Sequence, residues 1–273
     1  MKSSVLEPPA NFLTGLKPTK PISELQDSVV YGPIHSRRLG CSLGINPLPV
    51  SYKFCDFDCV YCQYGWTPEK GNGEKLKRAP ELLNEIEKSF QYHRRVGTPV
   101  KCITLAGNGE PTIHPDFAAL VDGIINLRDS IFPDVKVGIL TDSSQAHRPE
   151  IRATLEKLDD RYMKLDAGLR ETIERINKPR GNFDFDRMVK ALSQMSDIVV
   201  QSLFMWGSFD NTTEAELDAW IEKIKMIRPR EVQVYTIDRG TADPGLRKVP
   251  VERLREIAQI CQSATGVPSV VFD

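Results

Sequence analysis

No run of apolar residues in this 273-residue chain approaches the length needed to span a bilayer. The stretch from Met1 to Lys20 holds Lys2, Glu7, Pro8, Pro9 and Pro18, and it lacks the apolar core of a secretory leader. There is no excess of charge of either sign. The 36 basic residues meet 37 acidic ones, which removes any overall electrostatic footprint for nucleic acid. Histidine is scarce, with four copies scattered at His35, His93, His114 and His147. No internal repeat and no low-complexity tract is present. These absences point to a cytoplasmic globular protein with no membrane attachment. In that reducing compartment, six cysteines do not read as structural disulfides, so their spacing decides what they are.

What is present is the pattern of an α/β protein. Residues 1–28 are rich in proline and polar side chains and read as an extended arm; residues 29–273 read as one catalytic domain. Apolar runs at Ser42–Asn46, Val100–Ala106, Val135–Thr141, Tyr162–Asp166, Ile198–Phe204 and Glu231–Ile237 are strand candidates, several of them continuous as in parallel strands covered on both faces. Helical stripes lie between them. Leu82, Leu83, Ile86 and Phe90 follow Pro80, and Phe117, Leu120, Val121 and Ile124 follow Pro115. Thr213 and Glu216 form a capping-box pattern ahead of Leu217, Trp220, Ile221 and Ile224; Leu254, Ile257, Ala258 and Cys261 make a late stripe. A closed eight-unit barrel takes about 250 residues. The chain after its arm has less than that and includes a long loop, so the expected fold is a partial (β/α)6 TIM-type barrel.

Cys55, Cys59 and Cys62 stand within eight residues of one another. Clustered thiolates are soft ligands suited to zinc or to iron–sulfur clusters, and a purely structural site of either kind takes four protein ligands. Three cysteines without an evident fourth leave an open coordination position. Cys102 lies inside an apolar strand and Cys261 on a helical stripe, where each reads as a small buried hydrophobe; Cys41 lies just before the first strand. A zinc site completed by a histidine is the competing structural reading.

In barrels of this class the chemistry sits where strands end at their C-terminal side. After the second strand comes Gly107-Asn108-Gly109-Glu110, which reads either as a glycine-rich turn or as backbone and a carboxylate approaching a ligand. The third strand ends in Thr141-Asp142-Ser143, a ligand contact or a turn. Lys164 and Asp166 alternate with Leu165, so they share one face. They read equally as a salt bridge ordering the barrel or as catalytic groups. Gln201 and Ser202 interrupt the apolar fifth strand, either satisfied by neighbours or facing a cavity. Thr236, Asp238 and Arg239 close the sixth.

The Cys-x-x-x-Cys-x-x-Cys spacing, with aromatic Tyr61 just ahead of Cys62, resembles the signature of the radical S-adenosylmethionine (SAM) superfamily. Ser36-Arg37-Arg38-Leu39-Gly40, Ser42-Leu43-Gly44-Ile45-Asn46, Phe57 through Gly65 and Asn177-Lys178-Pro179 are similar to one subgroup, the catalytic domain of the tRNA wyosine synthases. The resemblance runs from about Val29 to Arg239. It implies one 4Fe–4S cluster on Cys55, Cys59 and Cys62, with SAM on the open iron. Only Cys41 lies upstream, so a second cluster is not expected. The resemblance further implies SAM contacts from Tyr61, Gly107, Asn108, Gly109, Glu110, Thr141, Asp142 and Ser143, although Asn108 replaces a usual glycine and Asp142 a usual asparagine; Gln201, from its place on the fifth strand, is a further candidate SAM contact. Lys164 and Asp166 are the expected catalytic pair. The implied activity is an oxidoreductase-type cleavage of SAM to a 5′-deoxyadenosyl radical, fed by a flavodoxin or ferredoxin. An RNA base, in tRNA, is the first expected substrate, and a peptide or small metabolite the second. A non-catalytic iron–sulfur or zinc protein is the alternative outside enzymes.

Overall fold

Continuous apolar strands need cover on both faces, and they obtain it by alternating with helices along the chain. The computed structural model describes residues 23–36 and 40–273. β1 (Val30–Ser36) and β2 (Gly40–Ile45) pair antiparallel. β3 (Cys102–Leu105), β4 (Lys136–Thr141), β5 (Asp160–Lys164), β6 (Val199–Gly207) and β7 (Glu231–Thr236) follow β2, each parallel to the strand before it. β8 (Leu246–Lys248) pairs antiparallel with the far end of β6, and β9 (Ser269–Phe272) adds a parallel strand outside β7. The sheet path runs from β1 to β9 without closing. It is therefore an open, partial barrel.

The six predicted strands correspond to β2 through β7. β1, β8 and β9 are additions to that reading. Gly32-Pro33 lies within β1. Proline is tolerated there because β1 is an edge strand that carries a register irregularity between Tyr31 and Ile34.

The helices cover the sheet: α1 (Ala79–Arg95), α2 (Phe117–Ile131), α3 (Pro149–Leu155), α4 (Arg170–Ile176), α5 (Phe185–Leu192), α6 (Glu214–Ile227) and α7 (Val251–Thr265). Leu82, Ile86 and Phe90 recur at helical spacing and bury the inner face of α1. α2 starts at Phe117 with Asp116 at its N-cap, so Pro115 stands just ahead of the helix. Thr213 caps α6 by accepting from the Glu216 amide, as its sequence pattern predicted. Trp220 of α6 meets Phe204 of β6 edge-on, with centroids 5.2 Å apart, and its indole N–H donates to Ser202 at 2.9 Å. Ser202 in turn donates to the Leu165 carbonyl at 2.5 Å. Ser202 is thus a satisfied core hydroxyl that ties β6 to the end of β5 and to α6. Burial of side chains of this size contributes about 1.5–3 kcal/mol each, and the stripes of all seven helices join one continuous core. No helix among the described residues is long and apolar enough to cross a membrane.

Candidate active site

The long connection from β2 to α1 carries the three cysteines with almost no regular structure of its own. It is held from outside. On one flank the Phe54 amide donates to the Asn108 carbonyl at 2.8 Å, and the Glu110 amide to the Phe54 carbonyl at 3.2 Å. On the other flank the Asp58 amide donates to the Asn177 carbonyl at 3.0 Å, Val60 to Ile176 at 2.8 Å, and Arg180 to Asp56 at 2.8 Å. Gly109 is needed for the first contact. Its φ is +152°, and a Cβ there would lie 1.7 Å from the Phe54 carbonyl oxygen. Cys55, Cys59 and Cys62 thereby reach one wall of a cavity of about 640 Å³ at the C-terminal ends of the parallel strands.

Beside Cys55 runs the segment that follows β3, bridged to the cysteine loop at Phe54 and Gly109. The Glu110 side chain is 2% exposed and fully engaged. One oxygen accepts from the Thr112 amide at 2.9 Å, the Thr112 hydroxyl at 2.6 Å and the Thr141 hydroxyl at 2.8 Å; the other accepts from the Asp142 amide at 2.7 Å. Burial, then the neighbouring Asp56, pushes the Glu110 carboxyl up to about 7. Burial, with Asp56 and Glu110 beside it, also raises Asp142 well above the usual carboxylate range. Asp142 accepts from the Ser144 amide at 2.9 Å and from the Cys55 thiol at 3.8 Å. Its turn role and its place on the cavity wall therefore coexist.

Deeper in, Lys164 donates to the Tyr235 hydroxyl at 2.5 Å and lies 3.4 Å from Asp166. Its ammonium also stands over the rings of Tyr61, at 4.8 Å, and Tyr235, at 5.1 Å. Burial works against that charge, but Asp166 and Tyr235 outweigh it and hold Lys164 above the ordinary lysine range. Asp166 accepts from the Tyr61 hydroxyl, from Asn177 at 2.8 Å and from the Leu203 amide at 2.8 Å. Asn177 additionally donates to the Cys59 sulfur at 3.4 Å.

Most of the residues singled out in the sequence meet in this cavity. Cys55, Cys59, Cys62, Tyr61, Gly107, Gly109, Glu110, Thr141, Asp142, Lys164 and Gln201 all line it. Asn108, Ser143 and Asp166 are not among its lining residues. Asn108 is buried the other way. Its amide accepts from the Gln26 backbone N–H at 2.8 Å and donates to the carbonyls of Gln26, at 2.9 Å, and Pro49, at 2.8 Å. The contact ties Gln26 to the segment that follows β3. Ser143 has φ +73° and donates to the Lys164 carbonyl at 3.1 Å. Asp166 is 1% exposed and enclosed by its donors. Gln201 reaches the cavity and donates to Gln233 at 2.8 Å. Arg37, Arg38 and Leu39 lie outside the described residues.

Sequence reasoning passed over Lys53, buried in the cysteine loop, and the cavity-lining tyrosines Tyr31, Tyr64 and Tyr235. A lysine in a loop reads as solvated, and nothing local shows that the Gly65 carbonyl folds back to it. Gly44 could have hinted at Tyr31, because a Cβ at Gly44 would lie 2.1 Å from that ring.

The donor set fits a cluster better than a single ion. A tetrahedral zinc with Zn–S of about 2.3 Å draws its sulfurs to roughly 3.8 Å. Among the described residues, the set of three potential ligand atoms that lies within 4.8 Å of one another is Cys55, Asp56 and Asp142, not the three cysteines. Cys41, Cys102 and Cys261 do not line the cavity. Burial raises the thiols of Cys55 and Cys59, the latter to about 12, so metal ligation there must displace protons.

Residues 50–224 match the radical SAM superfamily. The chain is 30% identical over 266 residues to a protein of Brachyspira hyodysenteriae named GTPase Obg, covering 93% of this chain and 37% of that one. It is 30% identical over 219 residues to the UPF0026 protein of Helicobacter pylori, covering 78% of this chain and 68% of that one. The chain thus spans little more than a third of the first relative and about two thirds of the second. Among solved structures, a radical SAM methyltransferase from Sphaerobacter thermophilus superposes with a TM-score of 0.63 at 14% identity, over 85% of this chain and 65% of that chain. TYW1 with a lysine-pyruvate adduct bound superposes with a TM-score of 0.56 at 10% identity, over 81% and 73%. These two likenesses concern the fold.

Proposed function

The chain belongs to the radical SAM superfamily, and from that membership we propose that it is an enzyme that cleaves SAM reductively at one 4Fe–4S cluster. When bound, the cluster and SAM supply one-electron scission of the sulfonium and a 5′-deoxyadenosyl radical that takes a hydrogen atom from substrate. The observation that carries this reading is the shared cavity: the three cysteines, Glu110 and Asp142 all line it, with Asp142 accepting from the Cys55 thiol.

Cys55, Cys59 and Cys62 are the proposed cluster ligands. Glu110 and Asp142 are the proposed partners of the SAM ammonium. Both carboxyls are pushed up by burial and by neighbouring acids, and a cationic ligand relieves that repulsion. Gly107 and Gly109 let Asn46 and the Phe54 carbonyl pack directly behind them, while Thr141 and Gln201 offer polar contacts. Lys164 is the pair member on the cavity surface. Held positive by Asp166 and Tyr235, it binds or orients a substrate acceptor rather than taking up a proton. Asp166 positions Lys164, Tyr61 and Asn177.

The proposed substrate is an RNA base, in tRNA. The rings of Tyr31, Tyr64 and Tyr235 at the cavity favour a planar group by stacking. The proposed electron donor is a flavodoxin or ferredoxin. The test is anaerobic incubation of reconstituted protein with SAM and a reductant, with 5′-deoxyadenosine as readout. Wild type forms it, and the variant with all three cysteines changed to Ala does not. Production by the triple variant overturns the assignment. Deuterium transfer from labelled tRNA, peptide or metabolite into 5′-deoxyadenosine then identifies the substrate class.

A further inference from the structure

Lys53 is the only lysine in the buried set of the described residues, at 4% exposure. It precedes Phe54-Cys55 and lines the same cavity as Cys55, Cys59 and Cys62. Its ammonium donates to the Gly65 carbonyl at 3.0 Å and lies 3.6 Å from Asp58. Asp58 is shared: it also accepts from the Thr67 amide at 2.6 Å and sits 3.8 Å from Arg180. The carboxylate nearest to Lys53 is therefore long and divided. A buried cation persists where anionic charge compensates it. The remaining anionic charge at this wall is that of the cysteines once they are thiolates.

We propose that Lys53 is a positioning residue whose fixed positive charge compensates the thiolate-ligated cluster and raises its reduction potential. This rests on the cluster reading given above. One-electron reduction adds a negative charge beside Lys53. A cation on the same cavity as the cysteines stabilises the reduced state more than the oxidised one. The placement has a mechanical side as well. The Gly65 carbonyl belongs to the turn in which Gly65 donates to the Cys62 carbonyl at 3.1 Å, so the Lys53 side chain ties the start of the cysteine loop to its end.

The experiment compares Lys53→Met, Lys53→Gln and Lys53→Arg with wild type in full-length, anaerobically reconstituted protein. Iron and sulfide are counted, and the cluster midpoint is measured by redox titration followed by electron paramagnetic resonance. Met and Gln are expected to lower the reduced-to-oxidised ratio at a fixed potential about tenfold, a shift of about 59 mV for a one-electron couple. Arg is expected to stay close to wild type. Gln retains a donor for Gly65, so a wild-type midpoint in Gln with a lowered one in Met assigns the effect to the hydrogen bond and overturns the charge proposal. Unchanged midpoints in both neutral variants also overturn it. If Met and Gln assemble no cluster while Arg does, the charge is required for assembly and the proposal stands in a stronger form. If Arg fails as they do, loop geometry replaces it. Absence of a cluster in wild type sinks the underlying cluster reading instead, and the two failures are thereby separate.

Discussion

Gly109→Ala is the sharpest perturbation of the site, because it adds one methyl group where two loops meet. The new Cβ would lie 1.7 Å from the Phe54 carbonyl oxygen and 2.4 Å from its carbon. Ordinary contact needs roughly 3.2 Å, so the Phe54 peptide must retreat by about 1.5 Å. That motion breaks the Glu110-to-Phe54 and Phe54-to-Asn108 hydrogen bonds, whose lengths are 3.2 and 2.8 Å. Each such bond contributes about 1 kcal/mol, and forcing alanine into positive φ costs about 1–2 kcal/mol more. The sum is about 3–4 kcal/mol. At a urea m-value of about 3 kcal/mol per molar this lowers the midpoint by about 1 M. Gly73→Ala is the control, since Gly73 has φ +92° and open space where its Cβ would go; it carries only the conformational part. Urea unfolding of the metal-free protein and iron content after reconstitution are the assays. Cys55 follows Phe54 directly, so Gly109→Ala should lose iron as well as stability while Gly73→Ala keeps its iron. Equal losses in the two variants, within about 0.5 kcal/mol, refute the idea that this contact positions the cysteine loop.

Asp166→Ala removes the acceptor of Tyr61, Asn177 and Leu203 and strands Lys164. A loss of about 3–5 kcal/mol is expected, and adding Lys164→Met should recover part of it in a double-mutant cycle. The Glu110 carboxyl sits at about 7 in the fold against an ordinary 4.5. A raised folded value means its contribution is full below pH 4.5 and is lost as pH rises through 7. The metal-free protein should therefore weaken by about 3 kcal/mol over that window. Chemical unfolding at several pH values checks this, and a flat profile contradicts it. Asn108→Ala cuts three hydrogen bonds to Gln26 and Pro49. Proteolysis near residue 26 should accelerate clearly in that variant, while cleavage at other sites stays as in wild type.

The parallel strands were legible because each is an apolar run long enough to be covered on both faces, as Ile103 and Leu105 of β3 or Val137 and Ile139 of β4 show. β9 was not, because Ser269–Phe272 is short and partly exposed, and only its place beside β7 makes it a strand. Residue type and strand-end position pointed to Glu110, Lys164 and Gln201, and all three line the cavity. They could not foretell which way adjacent side chains turn. Asn108 and Glu110 flank one glycine, yet Asn108 holds Gln26 while Glu110 lines the cavity. Lys164 and Asp166 share a face as expected, but depth separates them, and depth depends on Tyr61 and Asn177, which come from other parts of the chain.

The cysteine loop owes its shape to the sheet beneath it rather than to its own residues. Its backbone is bound at residues 108–110 after β3 and at residues 176–180 after α4, and Val60 further accepts from the Asp243 amide at 2.8 Å beyond β7. Three distant segments must be in place before the thiols share a wall. A free peptide of the same sequence could bind iron through its sulfurs, but it could not set them in one cavity with Glu110. That dependence gives a physical reason for two features that look unrelated in sequence. Gly109 is small so that Phe54 can dock from one side, and Asn177 is an amide so that it can meet Cys59, Tyr61 and Asp166 from the other. The cysteine spacing alone brings three thiols close along the chain; the contacts at Gly109 and Asn177 are what hold that loop against the cavity.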